Sequence, residues 1–225
     1  MFGCNLLTSM VFKVVFFVGV FCFGSVQGEK DSRNASPCFE SPLSLEVYNN
    51  CLKKFNTVEA KFLQTSESKC TKGKLYLQKP GKLRIIYEIN SQGQRKEILC
   101  DGTYLTEYVF DSQGELEESS SVNLSETPLQ IVLNTQGIDL RYVRVERIVS
   151  AKKSRGIYTY IYLVKKEDST EGKVVLIFKE DKEAGPQFCG WTIYDEHNRE
   201  IILELTDVNT NVIILPKTFS TSSTL

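Results

Sequence analysis

The chain has 225 residues, a formal net charge of -1 and a hydrophobic content of 41%. That length suits one domain with a sizeable core, and the hydrophobic content excludes disorder as the default state. The near-neutral balance argues against nucleic acid as a partner, which would leave a basic footprint on the sequence.

The N-terminus reads as a targeting segment. Lys13 precedes the apolar run Val14–Phe23, and small and polar residues follow, ending in Val26-Gln27-Gly28. A positive residue, a short apolar run and a small-residue site make a secretory signal. Residues 1–28 are therefore expected to be removed, leaving a single domain over 29–225. Met10 is an alternative start, and an uncleaved anchor is the competing reading. The apolar run is shorter than the ~20 residues a membrane span needs. Cys22 follows the bulky Phe21, so self-lipidation is not expected. Export implies a compartment that permits disulfides. Cys38, Cys51, Cys70, Cys100 and Cys189 remain after cleavage, an odd set that leaves one unpaired within a monomer. No Cys-x-x-Cys occurs and no Cys/His spacing suits zinc, so these are expected to be small buried apolar residues, with at most one bridge among them.

Glu29–Ser41 is polar and reads as a loose lead-in. Ser41-Pro42 then has the chemistry of a helix start. Leu45, Tyr48, Leu52 and Phe55 recur at helical spacing, which predicts an amphipathic helix over Leu43–Phe55. Strands are expected at Val58–Ser66, Lys72–Gln78, Leu83–Asn90, Arg95–Cys100 and Tyr104–Phe110. In the hairpin Lys72–Tyr87, Leu75 and Leu77 alternate with Lys74, Tyr76 and Gln78. Pro80-Gly81 marks the turn, and Leu83, Ile85 and Tyr87 then share one face. Thr127-Pro128 begins a short apolar helix, ended by Asn134–Gly137. A helix that short is held by packing, either as a movable cover or as a plain core element. Further strands are expected at Leu140–Ala151, Ile157–Lys165, Lys173–Lys179, Cys189–Asp195, Glu200–Asp207 and Asn211–Leu215, before the polar tail Ser220–Leu225.

Val174–Phe178 is apolar on both faces, so both sides of the sheet need cover. The two helical segments can cover one side. Curling the sheet supplies the rest. The expected fold is mainly β with few helices: a curved antiparallel sheet forming an incomplete half-barrel. An N-terminal helix and a short lid helix cover it, enclosing an apolar cavity.

The parts of an enzyme are missing. His197 is the sole histidine, set in a turn, and a Ser or Cys nucleophile would lack a base. Asp101 with Glu107 is one carboxylate pair that a glycosidase could use, but many solvated acids could be paired that way. No P-loop or dinucleotide fingerprint is present. The expectation is a binding protein with no catalytic residues, no cofactor and no metal. Concave, mostly apolar sites suit small molecules and lipids.

One ordered set of motifs is more specific. Phe62-Leu63-Gln64 is followed by Gly73-x-Leu75-x-Leu77-x-Lys79-Pro80-Gly81-x-Leu83-Arg84-x-x-Tyr87. Ile98-Leu99-Cys100-Asp101-Gly102 and Leu105–Tyr108 come next. From about Leu45 to about Phe219 this resembles the periplasmic outer-membrane lipoprotein carrier family, LolA. The resemblance implies a periplasmic chaperone that holds the acyl chains of lipoproteins and shuttles them from the inner toward the outer membrane. Such carriers solve a large energetic problem. Baring acyl chains to water costs about 0.8 kcal/mol per CH₂, so three chains of roughly sixteen carbons approach 40 kcal/mol. The implied partners are an inner-membrane releasing transporter like LolCDE and, where one exists, an outer-membrane acceptor like LolB, with the carrier a monomer. Leu83 and Ile85 match positions that line the family's cavity. Leu75, Leu77 and Tyr87 share their face by alternation, and Leu129, Val132 and Leu133 match its lid. The family commonly has Arg before the Pro of the turn, bonding lid backbone. Lys79 stands there instead, a point charge in place of a fork, which implies a lid more easily opened. The alternative is an exported β-rich interaction protein or envelope stress sensor without lipid cargo.

Overall fold

Period-two alternation of apolar residues builds most of this chain into strands. The computed structural model describes residues 38–40, 43–66, 69–166, 173–194 and 199–220. The expected signal segment, the Ser41-Pro42 helix start and His197 lie outside them. Twelve strands form one sheet: β1 Cys38–Glu40, β2 Thr57–Ser66, β3 Lys69–Gln78, β4 Lys82–Tyr87, β5 Arg95–Asp101, β6 Tyr104–Phe110, β7 Leu116–Asn123, β8 Val143–Lys153, β9 Gly156–Lys165, β10 Lys173–Asp181, β11 Gly185–Tyr194 and β12 Glu200–Thr210. Helix α1 is Leu45–Lys53 and helix α2 is Gln130–Leu133.

The strand order is β1-β8-β9-β10-β11-β12-β2-β3-β4-β5-β6-β7. Two antiparallel meanders, β2–β7 and β8–β12, are joined where β12 pairs β2, with Ile201 opposite Ser66 and Leu205 opposite Phe62. The sheet stays open, with β1 and β7 at its edges. Its curl is assisted by bulges, one in the β12–β2 pairing between Thr206 and Asn209 and one in β10–β11 after Ile177. Gly190 sits beside the second, at φ +133, and a side chain there would collide with the Leu203 carbonyl. The curved antiparallel sheet with its N-terminal helix is thus the architecture expected.

Inside the curve, one apolar cluster gathers residues from both meanders, from α1 and from α2. Phe62, Leu75, Leu83 and Ile98 come from one side, Ile161, Leu176, Phe178, Trp191 and Leu203 from the other. Helix α1 drops Tyr48 and Leu52, both wholly buried, between them. It begins at Leu45 behind Ser44, two residues later than expected, and stops at Lys53. Glu46 in its first turn and Lys53 in its last both suit the helix dipole.

Four segments differ from expectation. β1 forms inside the supposed lead-in by pairing β8. β7 was not foreseen, because its Glu- and Ser-rich residues show no apolar period; pairing to β6 makes it a strand. Leu140–Tyr142 precedes β8 instead of opening it, and Asn211–Leu215 is not a strand, with Ile213 almost fully exposed. After it, a 3-10 turn at Pro216–Phe219 packs on the outer face, where Arg84 Nη1 donates to the carbonyls of Thr218 at 3.0 Å and Ser220 at 3.2 Å. Arg84 also forms a buried ion pair with Glu97 at 2.7 Å.

The four cysteines whose side chains are described are free thiols. Cys100 is buried as expected, Cys51 and Cys189 are half-buried, and Cys70 is exposed. Among the described residues, no helix is long and apolar enough to cross a membrane.

Candidate functional site

The concave face of β2–β6 carries the candidate ligand-facing residues. Alternation puts Leu75 and Leu77 of β3 beside Ile85 and Leu83 of β4, cross-strand partners in register. Tyr87 continues the β4 row, and Leu129, Val132 and Leu133 come down from the lid segment. All eight lie together in the central cluster, with Leu75, Leu77, Leu83 and Ile85 no more than 2% exposed.

That burial corrects one expectation: at these residues the curved sheet does not enclose an open cavity. Side chains of α1 and of the lid fill the curve, because a dry void would forfeit their dispersion contacts. The space beside the lid is a cleft of about 170 Å³. A 150 Å³ apolar cavity takes one benzene, so the cleft is far too small for several acyl chains. Its apolar floor is Ile131, Val143, Leu163 and Val174, and Glu126, Asp139 and Lys165 stand among its polar lining residues. Leu163, Val174 and Val143 belong to the central cluster, so the cleft opens onto the core along the edge of the lid. The sequence offered no signal for Val143, Leu163 and Val174 beyond strand periodicity, since these three converge only because β9 pairs both β8 and β10. Asp139 sits at the rim, where the Arg141 guanidinium, at 2.6 Å, holds its carboxyl down at about 2.

The lid is slight. A 3-10 turn at Leu124–Glu126, capped by Asn123 Oδ1 accepting from Ser125 N, leads into α2. Helix α2 is a single turn, shorter than the sequence suggested. Thr127 does not cap it; its hydroxyl donates to the Leu124 carbonyl at 2.9 Å. The β3–β4 turn fastens the lid, with Gly81 N–H donating to the Leu133 carbonyl at 3.0 Å. Gly81 is at φ +76, and a side chain there would press on Gly102, so the turn that reaches the lid needs glycine.

Lys79 goes elsewhere. It is neither solvated nor bonded to the lid. Its ammonium donates to the Leu52 carbonyl at 2.6 Å and lies 4.0 Å from the centre of the Phe55 ring. It therefore caps the C-terminal end of α1, where a cation complements the helix dipole. Burial lowers its pKa to about 8. The structure thus ties one turn to both covers: Lys79 holds α1 and Gly81 holds α2.

Two polar groups inside the curve escaped sequence reasoning. At the α1 end, Tyr48 OH donates to Glu180 Oε1 at 2.7 Å and Thr159 joins them, which anchors the helix. At the far end, Tyr87 OH donates to Gln64 Oε1 at 2.8 Å, and Lys96 pairs with buried Glu107 at 2.8 Å. Burial pushes the Glu107 carboxyl up despite Lys96, and pushes the Tyr87 hydroxyl up as well. A polar residue interrupting an apolar alternation, as at Gln64 and Glu107, was the available signal. Asp101 does not join Glu107. It is exposed in the β5–β6 turn, accepting from the Thr103 and Tyr104 amides. The arrangement is built for apolar contact, with no acid-base pair at its centre. Among the described residues no group of three or more His, Cys, Asp or Glu converges as a metal site.

Residues 53–222 match the family described as outer membrane lipoprotein carrier protein LolA. No curated protein matches the chain. Among solved structures, MucB is 12% identical with a TM-score of 0.43, over 80% of this chain and 64% of MucB. The chain thus spans less than two thirds of MucB. The LolA superfamily protein NE2245 from Nitrosomonas europaea is 11% identical with a TM-score of 0.43, over 80% of this chain and 99% of that one. The MucA/MucB complex of Pseudomonas aeruginosa gives 11%, 0.41, 79% and 60% for the same quantities.

Proposed function

Since the chain belongs to the outer membrane lipoprotein carrier protein LolA family, we propose that it binds the acyl chains of lipoproteins and carries them across the periplasm, from the inner toward the outer membrane. The observation that carries this reading is the apolar concave face of β2–β6 under a one-turn lid, with a cleft already opening beside that lid. The contacts that close the face belong to two small covers, α1 and α2. Acyl chains can replace the contacts of α2, because Val132, Leu133 and the chains are alike aliphatic and non-directional. Swinging α2 aside exposes Val132 and Leu133 together with Leu83 and Leu129, and lengthens the cleft into the core. Burial of a cargo's chains then offsets exposure of the covers, so the net affinity stays modest and transfer onward stays fast.

Residues 1–28 act as the export signal in this reading, and the mature protein works as a monomeric periplasmic shuttle. A transporter like LolCDE would load it and an acceptor like LolB, where one exists, would unload it. The chain needs only partners of graded affinity to run downhill between them.

The test is mass spectrometry of an organic extract of the protein purified from its native host, with uptake of a triacylated lipopeptide measured on the same preparation. Acyl-bearing cargo, and uptake abolished by Leu83→Asp in a variant that keeps the wild-type circular dichroism, are the expected results. A lipid-free extract with no lipopeptide uptake would overturn the carrier and leave an exported interaction or stress-sensing protein.

A further inference from the structure

We propose that β7 is a docking strand for an extended, basic peptide segment of a partner protein. Among the described residues the sheet ends at β7, which pairs β6 on one side only. A free edge of this kind presents a row of unpaired backbone N–H and C=O groups, and natural proteins usually blunt it by shortness, proline or lysine. β7 runs for eight residues, with no proline and no lysine, and Leu116–Ser119 and Ser121 are all exposed. Beyond a bulge at Glu117, Glu118–Asn123 pairs regularly with β6 and is long enough to take one more strand by ladder pairing.

Charge selects the occupant. Glu115 lies just before β7, and Glu117 and Glu118 lie within it, all exposed. A second copy of this chain would bring the same acidic stretch against itself, which disfavours edge-to-edge pairing. The bulge falls at Glu117, between the pairs Phe110–Leu116 and Val109–Glu118, so the exposed carboxylates of Glu115, Glu117 and Glu118 crowd one end of the edge and favour a partner strand that brings Lys or Arg there. Ser119, Ser120 and Ser121 add no bulk between them, and Ser121 is already tied to Thr106 by a hydroxyl contact of 2.8 Å. The site is separate from the acyl-binding surface and does not depend on lipid.

The experiment is fluorescence anisotropy at low ionic strength with a labelled peptide alternating lysine with valine. Two controls accompany it: the same peptide with glutamate for lysine, and one with a central proline. On the protein, Glu117→Lys/Glu118→Lys reverses the charge. Ser119→Pro and Ser120→Pro are compared because one of any two successive residues directs its backbone outward. The basic peptide should bind, both control peptides should fail, and the charge reversal and the outward-facing proline should each weaken binding about tenfold or more. Bound peptide should also slow amide exchange in β7. Binding that survives proline in the peptide and at both serines would be plain charge attraction and would overturn the proposal, as would no binding. Should a proline variant misfold, amide exchange in the wild type and the charge-reversed protein decide.

Discussion

Lys79 is the residue where pH should be felt. Its folded pKa of about 8 lies below the ordinary lysine value of 10.5. Between those values the folded chain binds fewer protons than the unfolded one, so this residue's contribution to stability grows as pH rises through the window and is flat below it. Comparing the native protein with Lys79→Met isolates the effect. The stability difference, from urea titrations at pH 7, 8, 9 and 10, should shift in favour of the native protein above about pH 8, by at most about 1.4 kcal/mol per pH unit. A difference independent of pH would mean the ammonium is not desolvated. The sequence could not reveal this setting. Pro80-Gly81 reads as a turn and the resemblance sets Lys79 against the lid, whereas the carbonyl it meets belongs to a helix 27 residues earlier. By contrast Leu75, Leu77, Leu83, Ile85 and Tyr87 were legible as one face, because period two alone fixes which side of a strand a residue occupies.

Among the elements, α2 is the one that the carrier reading requires to come loose. One helical turn gains little from its own hydrogen bonds, so its stability is that of its contacts with the core. Amides of Val132 and Leu133 should exchange at least about a hundredfold faster than those of β3 and β4, and should slow when triacylated lipopeptide is added. Equal protection across lid and sheet would make α2 an ordinary core helix. The sequence left these two readings open, since Leu129 and the apolar run Ile131–Leu133 are consistent with either. The structure adds the Gly81–Leu133 bond and the adjacent cleft. β7 shows the limit of periodicity from the other direction. Its Ser and Glu residues become a strand through β6's backbone and not through their own burial, so no apolar signal marks them.

For the molecule as a whole, the two meanders share one cluster and one continuous sheet, and neither has a core of its own. Urea unfolding should therefore be a single transition. Trp191 is the only tryptophan and is buried in β11, so its fluorescence reports the second meander while far-ultraviolet circular dichroism reports all strands. Coincident midpoints are expected, and two separated transitions would show the meanders to be independent domains. Curvature was legible in the sequence because Val174–Phe178 demanded cover on both sides. The order of strands was not, because a meander read along the chain gives no hint that its last strand returns to pair with its first long one.

That return has a consequence for how the protein comes into being. Ile201 must reach Ser66 before the curve exists. Until β12 is in place the first meander lacks the strand that joins it to the second, and its apolar face stays open to water. A chain cut short before residue 200 would leave that face exposed and aggregation-prone, rather than yield a smaller folded unit.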